Sequence, residues 1–149
     1  AYRHSSGDWV DDIALLTTFE AGIIGRFADL STFAADVKKF SILIFSTTMS
    51  RSWTVTIHSD KISTSDGNAT IDSTIWHHYR IHRVSANAIS VYVDDVLTLD
   101  GQSADAASDT YIEFKLIGNN SGDSAKAYIE KWWYKTAGTP LAVPAYRMF

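Results

Sequence analysis

The sequence predicts an all-β domain, a sandwich or a barrel, on three observations. Short runs rich in Ile, Val, Thr, Tyr, Phe and Trp recur along the chain. Several of these runs alternate apolar and polar residues, the period of a strand with one buried face. Turn-forming clusters separate them: Ser5-Ser6-Gly7-Asp8, Ser65-Asp66-Gly67-Asn68, Asp100-Gly101 and Asn119-Asn120-Ser121-Gly122-Asp123. Frequent turns between short strands are the pattern of sandwiches and barrels.

Taken in order, the first 25 residues carry the weakest signals. Ile13-Ala14-Leu15-Leu16 and Ile23-Ile24 are expected to supply strands or packing near an edge. Gly22-Ile23-Ile24-Gly25 reads as a turn, because no dinucleotide-binding pattern surrounds its glycines. From Phe27 to Val37, residues Phe27, Leu30, Ala34 and Val37 fall at helical spacing. One short helix is expected there, or a loop crossing the sandwich, which Ser31-Thr32 would suit. Phe40 to Phe45 is nearly continuous apolar, as for a strand buried on both faces. Trp53 to His58 alternates, with Trp53, Val55 and Ile57 turned inward.

Trp76 to Arg83 and Ile89 to Val96 form two more alternating runs, separated by a short turn at Ser85-Ala86-Asn87-Ala88. They predict an antiparallel pair. Tyr79, Ile81, Ile89, Val91 and Val93 face the core, while His78, Arg80, His82, Ser90, Tyr92 and Asp94 face the other way. Tyr111 to Leu116 buries Ile112, Phe114 and Leu116 by the same alternation, and Tyr128 to Tyr134 is the last strong strand. Trp53, Trp76 and Trp132 are assigned to the core as large aromatics.

Composition bounds the function. A chain of 149 residues, 46% hydrophobic and 20% charged, fits one folded domain. The formal charge of -4 comes with no basic run, which argues against nucleic acid or an anionic membrane as partner. No apolar stretch approaches the roughly 18 to 20 residues that span a bilayer. With no cysteine there are no disulfides and no thiolate metal sites, and the compartment stays open. No secretory signal is expected at Ala1-Tyr2-Arg3-His4, and the sequons at Asn68 and Asn119 would matter only in a eukaryotic secretory setting.

Five motifs, in order over about residues 40 to 135, resemble the concanavalin A-like, laminin-G-like sandwich superfamily. They are Phe40-Ser41-Ile42-Leu43-Ile44-Phe45, Trp76-His77-His78-Tyr79, Val91-Tyr92-Val93-Asp94-Asp95, Leu116-Ile117-Gly118 and Ile129-Glu130-Lys131-Trp132-Trp133-Tyr134. The resemblance implies an antiparallel two-sheet β-sandwich of the jelly-roll type over residues 1 to 149. It implies no single activity, since lectins, glycan-binding modules, hydrolases, adhesive domains and virion parts share that fold. Asp95 stands where the family's hairpin has glycine. A type I′ turn needs positive φ at both central positions, so the turn is expected to start one residue away or to lengthen. Ala127-Tyr128-Ile129-Glu130 likewise replaces the family's small residue before the closing strand.

Each candidate chemistry has a structural alternative. Glycoside hydrolysis needs two carboxylates flanking one bond. The hydrolases of this superfamily carry them on one strand as E-x-D-x-x-E, a string absent here. Glu20, Glu113 and Glu130 are the only glutamates and stand on separate segments. Glu113 and Glu130 could meet across neighbouring strands, but solvated carboxylates are the simpler reading, and an enzyme is not expected. His78 and His82, with His77 and His58, suggest zinc. Two histidines four apart on a strand are roughly 13 Å apart, however, too far for one ion, so surface histidines are expected. Calcium has a better set in Asn119, Asn120 and Asp123, with Asp94, Asp95 and Asp100 as a second group. Turn chemistry accounts for the same residues.

Aromatic recognition completes the set. The family register buries Ile129, Trp132 and Tyr134 and exposes Lys131 and Trp133. His78, Arg80, His82, Tyr92 and Trp133 would make a ligand platform if their strands adjoin. Alternatively, the tail Pro140 to Pro144 covers Trp133, or an oligomer contact does. Two functions follow. One is a non-catalytic glycan-binding, lectin-like or adhesion module at a cell or virion surface, with a glycan or polysaccharide as partner. The other is a structural virion domain, a capsid decoration or tail fibre, or an extracellular assembly domain. Its sheet face would then meet a protein partner or a second copy.

Overall fold

The structure, a computed structural model, describes residues 2–5, 8–11, 19–29, 39–46, 51–85, 88–103, 105–106, 112–117, 126–136 and 141–142. Side chains are described for residues 20–27, 53–83, 88–103 and 127–133. The chain forms strands β1 (Tyr2–Ser5), β2 (Asp8–Asp11), β3 (Phe19–Asp29), β4 (Lys39–Ser46) and β5 (Arg51–Ile57). Then come β6 (Lys61–Ser63), β7 (Asn68–Thr70), β8 (His77–Ser85), β9 (Ala88–Val93) and β10 (Val96–Ser103). Strands β11 (Asp105–Ala106), β12 (Ile112–Ile117), β13 (Lys126–Thr136) and β14 (Leu141–Ala142) complete the set. No helix occurs among the described residues, and so none long and apolar enough to cross a membrane.

The strands make two antiparallel sheets. One runs β1-β2-β12-β4-β5-β6-β7, with β11 added beside β5; the other runs β10-β9-β8-β3-β13-β14. Trp53, Val55, Ile57 and Ile62 of the first sheet pack on Ala21, Ile23, Phe27, Tyr79, Ile81, Ile89, Val91, Val93, Leu99 and Trp132 of the second. The fold is therefore a two-layer β-sandwich rather than a closed barrel. Each fully buried aliphatic, such as Ile23, Ile81 or Val91, contributes about 1.5–3 kcal/mol. Alternation on β5, β8 and β9 places inward the side chains expected there.

Four expectations are corrected. Gly22-Ile23-Ile24-Gly25 is not a turn, and Ile23-Ile24 is not near an edge, because β3 runs through all four residues and is paired on both sides by β8 and β13. Ala21, Ile23 and Phe27 turn inward, while Glu20, Ile24 and Arg26 point away from the core. The helix cannot begin at Phe27, since β3 continues to Asp29; Leu30, Ala34 and Val37 lie outside the described residues. Trp76 is not core: it is 46% exposed, just ahead of the alternation that starts at His77. The same alternation carries Arg83 inward. Its guanidinium lies 5.1 Å over the Trp53 ring, and burial draws its pKa below the usual arginine value.

The β9–β10 hairpin also differs from expectation. Val93 pairs with Val96, so the turn is the two residues Asp94-Asp95, with φ of 51° and 64°. Positive φ at both positions is what a type I′ turn requires. Aspartate is held there by side-chain bonds. The Asp94 carboxylate accepts the His78 backbone N–H at 2.9 Å and lies 2.6 Å from His77 Nδ1. Further along, β10 breaks register against β9 twice, between Leu97 and Leu99 and between Leu99 and Gln102, with Gly101 at φ +63°. An irregularity between Ile129 and Lys131 of β13 shifts the side-chain phase of that strand. It lets Ile129 and Trp132 both face the core while Lys131 and Trp133 face out.

Strands form at Lys39–Ser46 and Ile112–Ile117 as expected. The burial of Phe40 to Phe45, Ile112, Phe114, Leu116 and Tyr134, and the whole of Ile13 to Leu16, lie outside the described residues.

Candidate functional site

The order β9-β8-β3-β13 brings the expected platform residues onto one face. Across it, Tyr92 pairs with Arg80, Arg80 with Gly22, and Gly22 with Trp133, in one row perpendicular to the strands. On one side of that row lie His78, Ile24 and Lys131; on the other, Ser90, His82 and Glu20. All are on the face turned away from the core, because each is an odd step from its buried neighbours along the strand.

Trp133 is two strands away from His78, yet the two touch. Gly22 explains how. A Cβ at Gly22 would lie 2.6 Å from Trp133 Cε2, so the indole rests directly on the glycine backbone. From there it reaches across β3, and Trp133 Nε1–H donates to His78 Nε2 at 3.2 Å, with ring centroids 5.9 Å apart. Accepting at Nε2 puts the His78 ring proton on Nδ1. The half-buried indole is thus fixed by backbone below and imidazole at its edge.

Arg80 is fixed too. Its Cζ lies 4.1 Å over the Tyr92 ring, Nη1 donates to Glu20 Oε1 at 3.2 Å, and Nε lies 3.7 Å from Asp95 Oδ1. Stacking and ion pairing leave the guanidinium one position and cover one face of Tyr92. His82 is half-buried beside these groups, opposite Ser90 and Glu20. Ser90 itself is covered, its hydroxyl donating to Asp100 Oδ1 at 2.6 Å.

Beyond His78 the same face carries a second aromatic group. Arg26 pairs with Tyr128, and its Cζ lies 4.9 Å over the Tyr128 ring and 5.6 Å over that of Trp76. His77, next to Trp76, is anchored between Asp94 Oδ2 and the Asp72 carbonyl, the latter 2.9 Å from Nε2. Burial works upward on the Asp94 carboxyl. The bonds from the His78 N–H and the His77 ring outweigh it and hold Asp94 below the ordinary carboxylate range. Thr74 bonds lower Asp72 likewise.

The other candidate chemistries fare differently. Glu113 is on β12 and Glu130 on β13, in different sheets, so they do not meet across neighbouring strands. His58, at the end of β5 in the first sheet, lies 3.1 Å from Ser63 Oγ. Among the described residues no group of three or more His, Asp or Glu side chains could hold a metal ion. Asp94, Asp95 and Asp100 instead face protein donors, namely His77 and His78, Arg80, and Ser90. Asn119, Asn120 and Asp123, the calcium candidates, lie outside the described residues. The tail adds β14 beside β13, with Ala142 opposite Trp133.

Sequence reasoning missed Glu20, Gly22, Arg26, Trp76 and Tyr128. The signal for the first three was present: Glu20, Gly22, Ile24 and Arg26 alternate with Ala21, Ile23 and Phe27, but two glycines disguised the strand. Trp76 gave no local cue, since its partner Arg26 is 50 residues earlier in the chain.

No protein-family model matches the sequence, and no curated protein matches it. Solved structures do. The carbohydrate-binding module CBM66 from Bacillus subtilis aligns over 89% of this chain and 84% of its own, with TM-score 0.56 and 12% identity. Botulinum neurotoxin type C, whose cell entry depends on interaction with two ganglioside molecules, aligns over 85% of this chain at TM-score 0.54 and 10% identity. Here the match spans only 36% of the toxin chain. Sheep galectin-11, in complex with glycerol, aligns over 83% and 99% at TM-score 0.51 and 8% identity. At these identities the likeness is one of fold: the chain shares the two-sheet β-sandwich of these proteins.

Proposed function

We propose that this chain is a non-catalytic glycan-binding module whose contact surface is the outer face of the six-stranded sheet. One observation carries the reading: the Trp133 indole lies flat on Gly22, held by His78, beside an Arg80 clamped by Glu20 and Tyr92. A flat aromatic packs on the C–H face of a sugar ring, while fixed Arg, His and Glu groups hydrogen-bond its hydroxyls. Fixing them before the ligand arrives removes an ordering cost from binding. The fold shared with a carbohydrate-binding module, a ganglioside-dependent toxin and a galectin supports this reading. The concanavalin A-like assignment and an extracellular or virion-surface setting belong to the same proposal.

The test is a glycan array probed with the wild-type chain and with Trp133→Ala, with and without calcium. Binding that Trp133→Ala abolishes in a folded protein is the expected result. No binding of any glycan by the wild type would overturn the reading. A second reading, a protein-assembly domain, draws on the exposed Ile75, Trp76, Val96 and Leu97. Light scattering after size exclusion tests it, and a stable oligomer that protects Trp133 would favour it.

A further inference from the structure

Arg26 differs from Arg80 in one respect that bears on ligand choice. Arg80 has Glu20 and Asp95 against it, so its charge is largely answered within the protein. Arg26 lies between Trp76 and Tyr128, donates through Nη1 to the Phe27 carbonyl at 3.4 Å, and meets no carboxylate among the described residues. Stacking on two rings spreads the guanidinium flat and leaves its outer N–H edge for an acceptor in the plane. Lys131, exposed and opposite Ile24, adds a second positive charge between this group and Trp133. Asp94, in the hairpin turn beside His78, is already bonded to His77 and His78. In a chain of net charge -4, Arg26 and Lys131 place two cationic side chains on this end of the face.

From these observations we infer that the Trp76-Arg26-Tyr128 group binds an anionic substituent, a carboxylate or sulfate, on a glycan whose neutral part sits on Trp133. The inference rests on the glycan-binding reading above and names the ligand class for it. Arg26 and Gly22 are four residues apart on β3, about 13 Å along the strand. One monosaccharide cannot occupy both positions, so the ligand is an oligosaccharide lying along β3 and β8. Trp76 supplies the outer wall, which accounts for a large aromatic left 46% exposed.

An array of oligosaccharides printed as matched sets on the same backbones, neutral, carboxylated with sialic or uronic acid, and sulfated, tests the inference. The wild type is expected to prefer an anionic member over its neutral match by about tenfold or more, as one charge-assisted bidentate contact would give. The preference should shrink as salt rises. Arg26→Gln should bring the anionic member down to the neutral level while leaving neutral binding within about twofold. Arg26→Lys should retain part of the preference, because it keeps charge but loses the planar stack. Trp133→Ala should lower both members together. Equal binding of neutral and anionic members by the wild type overturns the inference and leaves the glycan-binding reading standing. So does a preference that survives Arg26→Gln in a protein with wild-type melting. Absence of binding to every member overturns both.

Discussion

Gly22→Ala adds one methyl group to the middle of β3, directly beneath the Trp133 indole. The new Cβ would lie 2.6–2.7 Å from Cε2, Cζ2 and Nε1, where ordinary contact begins at 3.4 Å. Strand β3 is tied by hydrogen bonds to β8 and β13 at this point, so the ring must yield rather than the backbone. It has to lift by close to 1 Å. The Trp133–His78 bond, at 3.2 Å, does not survive such a movement. Overpacking of this kind costs about 1–3 kcal/mol. Loss of the glycine's unfolded-state freedom returns about 0.4–1 kcal/mol. The net expectation is a destabilisation of about 0.5–2 kcal/mol, a melting shift of a few degrees for a domain this size. Glycan affinity should fall well beyond that, because the platform itself is displaced. Chemical denaturation gives the first quantity and titration calorimetry the second. A two-dimensional ¹⁵N–¹H spectrum of the indole region reports the Trp133 N–H bond directly. If the variant keeps wild-type stability, affinity and the Trp133 indole resonance, the ring does not rest on Gly22 and the reasoning fails.

Further expectations can be checked in the same way. Trp133→Ala should reduce glycan binding at least about tenfold by calorimetry while the far-ultraviolet spectrum stays that of a β protein, since the side chain is only half-buried. Asp94, held below its ordinary value, contributes stability that is complete above about pH 4 and is lost as pH falls through the lowered value. Asp94→Ala should flatten that acid limb in denaturant titrations. In the turn, Asp95→Gly should be neutral or stabilising by up to about 1 kcal/mol, because it removes a side chain from positive φ. Asp94→Gly should instead cost about 0.5–1.5 kcal/mol through its lost bonds to His77 and His78. Burial pushes the Tyr79 hydroxyl up to about 12 from 10, so its neutral form is favoured in the fold. Stability should be complete below pH 10 and decline by up to about 2.7 kcal/mol between pH 10 and 12. Tyr79→Phe should abolish that decline.

How much of this was legible depended on whether a residue's partner was near in sequence. Alternation on β8 and β9 is a local pattern, and it oriented Tyr79, Ile81, Val91 and Val93 correctly along with His78, Arg80 and His82. Strand β3 has the same pattern, but glycine at positions 22 and 25 carries no hydrophobic signal and imitates a turn. Trp76 was misassigned because large aromatics are usually buried, whereas here Arg26 supports one from a distant strand. The meeting of Trp133 with His78 required knowing that β3 sits between β8 and β13. That register is non-local and sets which side chains share a row. The shift of phase near Glu130 was foreseen only through the family's closing-strand pattern, since strict alternation would have sent Ile129 and Trp132 to opposite faces.

The outermost strand of the six-stranded sheet, β10, has a consequence for life in a crowded solution. A border strand with an unbroken row of backbone donors and acceptors invites any extended chain to join it, and Val96 and Leu97 would make the union greasy. Two slips in its ladder and the left-handed kink at Gly101 interrupt that row. An incoming strand could match only a few consecutive groups before falling out of step, so the sheet ends at β10 instead of seeding a fibre.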